Sequence, residues 1–577
     1  MSVRGPDDFR VIDLTMVTEL DAKIREIPYG IGSRFTPDKG CLRGTRTAFL
    51  EFIVDWVNHP ASERCLVLFG QAGTGKSSIA HEIAHRFKTM HRLTSSYIFL
   101  RKEQSKPYHL FTTLARDLSD RYPSFKSALG KVVKDDSSLR VGTRDYDTLF
   151  QSLILEPLKD LHIVGPILVV IDALDESGDA TGRTGLHTFL AKNLVRLPSN
   201  FRVLITSRPE DGIEPALAGA ASVRIRHMKD PDLAVKTHDD ILVFLQERLP
   251  SDGFRNYGNA LALKAEGLFQ WAAVASQFIL DPPGRFGYSK KKCINHLLKP
   301  SANRNGQDPL DGLYKEVLEG YFTDQETRPL FRSVVGQLIS SIEPLSIRSL
   351  TALRRHVSAA VNDDDDSNDD DDGNDDSGAV LILLRRLGSL FSNVHSSDED
   401  LPITPLHTSF RDFLTNKEKS GEFYVDLRDA HLQLAHSCLG LLLDGLKFNI
   451  CNLETSYLAN EDVTDLKSRV DKHIPPALLY ACRFWDAHLE HIGFEAELYG
   501  KLRTFFETKL LFWLEALSLA NCVGLALTAC SALNVWLVSG QGVSIIHLLI
   551  GEEGKELIAT IAAGFSDRAR GIQVVCQ

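Results

Sequence analysis

The chain has 577 residues, of which 43% are hydrophobic and 24% charged, as is typical of a folded protein with several domains. Its formal net charge is −11, but ten aspartates fall within 363–376, and the rest of the chain carries only −1. We therefore expect no basic surface and no nucleic-acid partner. The nine cysteines form no C-x-x-C pair, and the first 23 residues lack the apolar run of a secretory signal. These features predict buried thiols and a cytoplasmic protein.

The first part of the chain alternates predicted strands with predicted helices. Apolar runs predict strands at 65–69, 96–100, 167–171, 201–206 and 222–226. Helical periodicity predicts helices at 45–57, directly after 77, at 109–121 and at 146–158. This alternation predicts a doubly wound parallel α/β sheet, in which ligands bind at the carboxyl ends of the strands.

A glycine-rich motif separates the first predicted strand from the helix that follows. It fits G-x-x-x-x-G-K-[ST] and reads Gly70-Gln71-Ala72-Gly73-Thr74-Gly75-Lys76-Ser77. Its glycines let backbone N–H groups point at phosphate oxygens, and the helix adds the positive end of its dipole. We expect Lys76 to reach the β- and γ-phosphates and the Ser77 hydroxyl to ligate Mg²⁺. Together with Ser78, the motif is the predicted binding site for ATP or ADP with Mg²⁺.

Acidic residues follow the third predicted strand. Asp172 ends this strand and is expected to hold Mg²⁺ through a water, opposite Ser77. Either Asp175 or Glu176 is expected to orient or deprotonate the attacking water, although a helix N-cap fits Asp175 equally well. Arg208 ends the next strand, where a guanidinium can contact the γ-phosphate, and a surface salt bridge is its alternative. Asp172, Asp175, Glu176 and Arg208 are thus the predicted catalytic residues.

Two histidines on the helix after the P-loop have the spacing of a metal-binding pair. His81 and His85 lie four residues apart, but the sequence places no third ligand beside them. We therefore predict that they lie on a solvated helix face and do not bind zinc.

Beyond about residue 238 the chain is predicted to be mostly helical. Helices are expected at 241–249, at 260–280 and from about 421 onward. The aspartate run of 363–376 is predicted to be a disordered loop, because its like charges repel and it has nothing apolar to bury.

An uncharged stretch near the end of the chain allows two interpretations. Residues 516–538 are long enough to span a membrane. Asn521, Asn534 and several serines and threonines dilute the stretch, so a helical hairpin buried between other helices is favoured over membrane contact.

Several stretches of the chain resemble the NACHT-type NTPases of fungi, often described as nephrocystin-3-like, within the STAND class of signalling ATPases. These stretches span most of 41–490 and read CLRGTR at 41–46, LFGQAGTGKS at 68–77, VIDALDE at 170–176, ITSRPE at 205–210, GLFQWAA at 267–273, PLS at 344–346, LHTSFRDFL at 406–414 and YACRFW at 480–485.

The resemblance implies a domain order and two further site residues. The expected domains are a lead-in at 1–40, an NTPase domain at 41–237, a helical domain at 238–320, a winged helix at 321–420 with a disordered insert at 362–378, and a helical region at 421–577. His407 of the winged helix is implied to touch the ADP β-phosphate, whereas the residues alone suggest a core histidine. Arg46 is implied to lie in the strip that closes over the base and ribose. The effector domain and repeats of such proteins are not visible in the sequence.

The favoured interpretation is a nucleotide-controlled switch in signalling, innate immunity or self-recognition. ADP holds the domains closed, and exchange for ATP exposes a surface for self-association or for binding other NACHT proteins. Slow ATP hydrolysis, where it occurs, resets the switch. A conventional ATPase motor is disfavoured because no basic stripe for nucleic acid is visible. A nucleotide-binding scaffold without turnover is disfavoured by the intact Lys76 and Asp172.

Overall fold

The computed structural model divides the chain into two compact units, Met1–Ser276 and Gln277–Gln577. The finer domain bounds that the resemblance implies stay predictions. The aspartate run lies outside the described residues except for Asp376, which begins a helix. The structure describes residues 21–30, 34–99, 107–136, 139, 145–159, 161, 163–177, 180–209, 212–220, 222–249, 251–280, 290–298, 308–322, 325–358, 376–455 and 457–541.

The described part of the first unit contains a five-stranded parallel sheet with the strand order β2-β3-β4-β1-β5. The strands are β1 Cys65–Phe69, β2 Leu93–Ile98, β3 Ile167–Asp172, β4 Phe201–Ser207 and β5 Val223–His227. In the sheet register, Phe69 at the end of β1 lies beside Ser207 at the end of β4. Ile98 at the end of β2 lies beside Asp172 at the end of β3. The predicted parallel sheet is confirmed, and its carboxyl ends meet at one edge.

Helices cover both faces of this sheet. Their bounds are α1 Thr47–Asn58, α2 Lys76–Thr89, α3 His109–Arg121, α4 Pro123–Asp135, α5 Tyr146–Phe150, α6 Ala180–Asn193, α7 Ile213–Ala218, α8 Pro231–Arg248, α9 Ser251–Lys264 and α10 Phe269–Leu280. A π-helical turn, Gln151–Leu155, and the turn Glu156–Leu158 continue α5. The boundary between the two units falls within α10.

Alternation along the strands explains why two helical layers form. Val169 of β3 packs in a core with side chains of α3, α4, α5 and α6, whereas its neighbour Val170 packs in a core with side chains of α1 and α2. Successive side chains of a strand point to opposite faces, so a continuous apolar run needs a cover on each side. The doubly wound arrangement follows directly from these uninterrupted runs.

Two predicted boundaries in the first unit are wrong. Strand β2 begins at Leu93, three residues before the predicted start. Its polar serines can lie in the buried strand because their hydroxyls find hydrogen-bond partners, as Ser95 does with Asp117. The predicted helix 260–280 is two helices, α9 and α10. Glu266 and Gly267 separate them with φ values of 50° and 84°, which a right-handed helix excludes.

The predicted lead-in packs onto the first unit where the structure describes it. Ile24 and Ile27 are buried in the same core as β3 and α3. The Gly30 N–H donates to Thr113 Oγ1 at 3.0 Å, and Arg34 forms an ion pair with buried Asp117. These contacts make the described residues 21–30 and 34–40 part of the fold of the first unit.

The described residues of the second unit form helices joined by loops, together with two isolated bridges. Ser346 pairs with Pro402 and Phe391 pairs with Pro405, both antiparallel, within the stretch predicted as a winged helix. The winged helix itself stays a prediction. The helices are α11 Lys290–Leu297, α12 Pro309–Tyr321, α13 Thr327–Ser340, α14 Ile347–Ser358, α15 Asp376–Arg386, α16 Thr408–Leu414, α17 Lys417–Ser420, α18 Leu427–Gly445, α19 Leu466–His473, α20 Pro476–Leu489, α21 Ala496–Thr508, α22 Leu510–Leu519 and α23 Leu525–Gln541.

The uncharged stretch 516–538 forms parts of two helices. α22 ends at Leu519, Asn521 has a φ of 55°, and α23 begins at Leu525. Trp513 and Trp536 on these helices are buried, and each indole N–H donates to a backbone carbonyl of the unit. Among the described residues, no helix is both long and apolar enough to cross a membrane.

A chain of hydrogen bonds runs through the core of the second unit. The Ile342 N–H donates to Tyr480 Oη at 3.0 Å, and Tyr480 Oη lies 3.0 Å from His488 Nε2. His488 Nδ1 in turn lies 2.9 Å from His431 Nδ1. All these groups are satisfied when Tyr480 donates to Nε2 and His488 Nδ1–H donates to His431. Burial and the neighbouring imidazoles lower the pKa of His431 to about 3 and that of His488 well below its usual value.

We expect the second unit to lose stability as the pH falls from 7.5 to about 5. Burial lowers the pKa of histidines that the unfolded chain protonates near pH 6.5, so their stabilising effect is present above that pH and is lost below it. Each group contributes up to about 1.4 kcal/mol per pH unit. Desolvation raises the pKa values of three carboxyls, Asp311, Asp486 and Glu515, and these groups oppose this loss. The histidines are His356, His431, His436, His488 and His491.

Chemical unfolding of His488→Gln at several pH values tests this prediction. Below pH 6.5, the free energy of unfolding of the variant should change with pH less steeply than that of the wild-type chain, by about 1.4 kcal/mol per pH unit. This difference is expected whatever the stability of the variant at neutral pH. His59→Gln, at an exposed position of the first unit, serves as the control and should keep the wild-type slope. If the unfolding free energies of the wild-type chain and His488→Gln changed equally with pH, the prediction would be contradicted.

Candidate functional site

The predicted P-loop has the backbone conformation of a phosphate-binding turn. β1 ends at Phe69, and α2 begins at Lys76 directly after Gly75. Gly73 and Gly75 have φ values of 78° and 90°, in the region that favours glycine. A Cβ at Gly70 would lie 2.6 Å from Met228 Cγ, so a larger residue does not fit there. The strand, the turn and the helix lie where the motif predicts them.

Lys76 is nearly buried within this turn. Its ammonium donates to the carbonyls of Gly70 at 2.7 Å and Gln71 at 2.9 Å. Burial lowers the pKa of Lys76 to about 8, while the charges of Asp175 and Asp172 act in the opposite direction. The loop therefore holds a cation on its own carbonyls, within the field of the carboxylates that end β3 and follow it.

Asp172 is fixed at the end of β3 by the neighbouring strand. The Thr206 hydroxyl of β4 donates to Asp172 Oδ1 and accepts the Ala173 N–H at 3.1 Å. Ala173 has a φ of 57°, a conformation that costs a non-glycine residue about 1–2 kcal/mol. One side chain, Thr206, therefore both orients the buried carboxylate and holds the strained turn after it.

Asp175 and Arg208 form an ion pair beside Asp172. Asp175 Oδ1 accepts the Arg208 N–H at 3.0 Å, and Asp175 Oδ2 lies 3.2 Å from Arg208 Nε. Glu176 Oε1 is farther away, at 3.9 Å from Arg208 Nη2. Asp175 lies inside the turn Leu174–Glu176 and does not cap a helix, so the N-cap alternative is wrong. Arg208 does form a salt bridge, but its side chain is only 19% exposed and its partners are the predicted catalytic carboxylates.

Arg46 also contacts the P-loop. It precedes α1 with a φ of 57°, and its Nη2 donates to the Thr74 carbonyl at 3.1 Å. Its Nη1 donates to Thr237 Oγ1 at 2.6 Å, and the guanidinium stacks over the Phe269 ring with its carbon 4.9 Å from the centroid. Arg46 Nε is buried and has no hydrogen-bond partner among the described residues. The structure thus brings Arg46 to the P-loop, while a contact with a base or ribose stays a proposal.

The sequence did not predict that the first residues of α10 contact the P-loop and support it. The Gln270 N–H donates to the Gly73 carbonyl at 3.0 Å. A Cβ at Gly75 would lie 3.8 Å from the Phe269 ring, which therefore packs beside the turn. The stretch 267–273 contributed to the resemblance, but no residue type in it indicated this contact. Thr206 and Met228 were missed for the same reason.

The prediction of a solvated face is wrong for His81. His81 is buried and accepts the Thr36 N–H on Nδ1 at 2.8 Å. His85 is partly exposed. Within the described ranges, no cluster of histidine, cysteine and acidic side chains has the arrangement of a metal site. Through this hydrogen bond, His81 connects the residues before α1 to α2, the helix that follows the P-loop.

His407 belongs to the second unit, where it caps α16. Its Nδ1 accepts the Ser409 N–H at 3.1 Å and lies 2.7 Å from Ser409 Oγ. Tyr314 Oη lies 2.8 Å from Ser409 Oγ, and burial raises the pKa of Tyr314, which keeps it a donor. Because Nδ1 accepts, the proton of a neutral His407 ring is on Nε2.

Comparisons with known proteins agree with the P-loop assignment over part of the chain. Residues 44–208 match the family described as Nephrocystin 3, N-terminal. This match covers β1 to β4, the P-loop, Asp172 and Arg208. A search of curated proteins gave no match.

Three solved structures illustrate how distant the structural likenesses are. A STAND protein with a tetratricopeptide repeat sensor from Pyrococcus horikoshii is 13% identical, with 92% of this chain and 72% of that chain covered and a TM-score of 0.37. The ORC1 protein of Aeropyrum pernix, in complex with DNA, is 13% identical over 60% and 82% of the two chains, with a TM-score of 0.26. Drosophila ORC bound to AT-rich DNA and Cdc6 is 12% identical over 91% and 95%, with a TM-score of 0.21. At these TM-scores the likenesses carry no argument about ligands or partners.

We expect Thr206→Val to destabilise the first unit by about 2–3 kcal/mol, because it leaves a buried carboxylate and a buried N–H without their hydroxyl partner. Thr206→Ser keeps the hydroxyl and loses only a methyl group, so it should cost about 1 kcal/mol. Chemical unfolding of the two variants measures this difference. A valine variant as stable as the serine variant would show that the hydroxyl does not hold Asp172.

Proposed function

We propose that the chain is a STAND-type switch that binds ATP and ADP with Mg²⁺ and hydrolyses ATP slowly. The observation that carries the proposal is the position of Lys76. Its ammonium is held at the P-loop, at the edge of the sheet where Asp172 ends β3 and Arg208 follows β4. A triphosphate supplies the anion for this cation, and backbone N–H groups and the dipole of α2 add to its stabilisation.

The residues at this edge fit a magnesium ion. Mg²⁺ prefers oxygen ligands and keeps several waters. Asp172 offers a buried carboxylate that Thr206 already orients, and Ser77 lies exposed in the first turn of α2. We propose that these two residues would hold the ion, which would offset the negative charge of the phosphates. The family match at 44–208 supports nucleotide binding by the same segment.

The remaining site residues support a switch with a slow chemical step. We propose that Asp175 or Glu176 orients the attacking water and that Arg208 responds to the γ-phosphate, which only ATP carries. Arg46 donates to Thr74 of the P-loop, which supports a role for Arg46 in sensing the nucleotide. Opening, self-association and a role in signalling, immunity or self-recognition extend this proposal from the resemblance of the sequence to STAND proteins.

The nucleotide that copurifies with the chain distinguishes the switch from its alternatives. Tightly retained ADP favours the switch, whereas an empty site with rapid turnover favours an ATPase motor. A site that retains nucleotide and never turns it over favours a scaffold. Mass spectrometry of the denatured protein and a phosphate-release assay provide these readouts.

Lys76→Ala should abolish nucleotide binding, because it removes the cation that faces the phosphates. The expected loss is at least about 100-fold in the affinity for ADP or ATP, measured by calorimetry. Lys88→Ala, at an exposed position on the same helix, is the matched control and should bind like the wild-type chain. Unchanged binding by Lys76→Ala would refute the site.

The pH dependence of binding gives a second readout of the same side chain. The protonated form of Lys76 binds phosphate, and its lowered pKa of about 8 means that the proton is lost above that pH. Affinity should therefore fall as the pH rises from 7.5 to 9.5, by up to about tenfold per pH unit. Lys76→Arg keeps its charge over this range and should not show the fall.

We further propose that His407 takes part in retaining ADP. His407→Ala should release ADP about tenfold faster, a change typical of a lost hydrogen bond to a charged group. His407→Asn can still cap α16 with its side-chain oxygen, so it should release ADP equally fast without the loss of stability expected for alanine. An unaltered ADP content in both variants would remove His407 from the mechanism.

A further inference from the structure

We propose that Asp175 holds Arg208 in the absence of a γ-phosphate, and that ATP binding moves Arg208 from Asp175 to that phosphate. Asp175 then sets how strongly the site prefers ATP over ADP. This inference rests on the proposed function, because it requires that nucleotide binds at the P-loop.

The contact geometry singles out Asp175 among the acidic residues at this edge. One of its oxygens accepts the backbone N–H of Arg208, and the other lies 3.2 Å from the guanidinium Nε. Asp172 is oriented instead by Thr206, and Glu176 lies 3.9 Å from the guanidinium. Asp175 therefore holds both the end of β4 and the side chain that follows it.

Because this pair is largely shielded from water, the Arg208 guanidinium must lie beside an anion. The carboxylate of Asp175 is 3% exposed and the side chain of Arg208 is 19% exposed. A guanidinium in such surroundings is stable only beside an anion, since water does not replace the lost partner. Arg208 moves away from these carboxylates when a more strongly charged anion reaches it, and the terminal phosphate of ATP is such an anion.

The same competition separates the two nucleotides. ADP has no γ-phosphate to draw Arg208 away, so the pair with Asp175 persists when ADP is bound. ATP must break the pair, and part of its binding free energy is used for this step. The cost of breaking the pair therefore lowers the affinity for ATP and leaves the affinity for ADP unaffected. Asp175 is a positioning residue in this scheme, because it acts through Arg208.

Asp175→Asn tests the inference. The asparagine side chain retains an oxygen that accepts the Arg208 N–H, but it lacks the charge that holds the guanidinium. The ratio of affinities for a non-hydrolysable ATP analogue and for ADP should rise about tenfold, within the range of coupling between sites in proteins. Calorimetry with Mg²⁺ present measures both affinities without interference from hydrolysis.

The chain contains a more exposed pair of similar geometry that serves as a control. Asp230 accepts the His227 N–H at 3.0 Å and the Arg226 Nε at 2.9 Å, so one carboxylate again holds a strand end and an arginine. Asp230→Asn should leave the affinity ratio at the wild-type value. A rise equal to that of Asp175→Asn would mean that the effect comes from general loosening of strand ends, and would overturn the inference.

The double variant Asp175→Asn with Arg208→Gln tests whether the effect passes through the arginine. Once Arg208 is replaced, the asparagine substitution should no longer change the affinity ratio. A rise of the same size in both backgrounds, or no rise in Asp175→Asn alone, would overturn the inference.

Arg208→Gln alone provides a test that does not require Asp175→Asn to fold. It should weaken binding of the ATP analogue about tenfold and change ADP affinity by less than about threefold. An equal loss for both nucleotides would overturn the inference. Failure of the wild-type chain to bind either nucleotide would instead refute the proposed function, so the two failures are distinguishable.

Discussion

The hydrogen bond from Thr206 to Asp172 joins two strands at the point where the site is built. Parallel pairing of β3 with β4, and of β4 with β1, brings the ends of these strands to one edge of the sheet. The Thr206 hydroxyl then fixes a buried carboxylate and supports the strained conformation of Ala173. Asp175 can face Arg208 only because the chain turns sharply at Ala173. The parallel register and this one hydroxyl therefore determine where the charges of the site lie.

The P-loop receives its support from segments that lie far apart in the sequence. Arg46 donates to Thr74, Met228 fills the space beside Gly70, and Gln270 donates to Gly73. Each contact constrains a different part of the turn, so a shift of the loop would change its contacts with all three segments. This arrangement links the conformation of the loop to the start of α10, within the first unit. In the proposed switch, a change at the loop would therefore also alter the contact with the start of α10.

The sequence predicted the sheet well because its buried strands are uninterrupted apolar runs, as in Ile167–Asp172, and because glycine and lysine spacing defines the P-loop. It failed where tertiary partners decide the outcome. The start of β2 was missed because Ser95 is satisfied by Asp117, and His81 was misplaced because its partner Thr36 lies 45 residues earlier. The pairing of Asp175 with Arg208 likewise joins residues 33 apart. Local periodicity contains no information on such contacts.

The accumulation of charge at this edge argues for a ligand and against a purely structural role. Lys76, Asp172 and Asp175 are at most 9% exposed, and Arg208 is close to them. Burying ionised groups costs several kcal/mol each, and apolar residues of similar size would often be more stabilising. Two backbone carbonyls, which carry no charge, only partly offset the cost of burying the Lys76 ammonium. In the proposed function, a bound phosphate would supply an anion for Lys76 and so offset part of this cost when nucleotide binds.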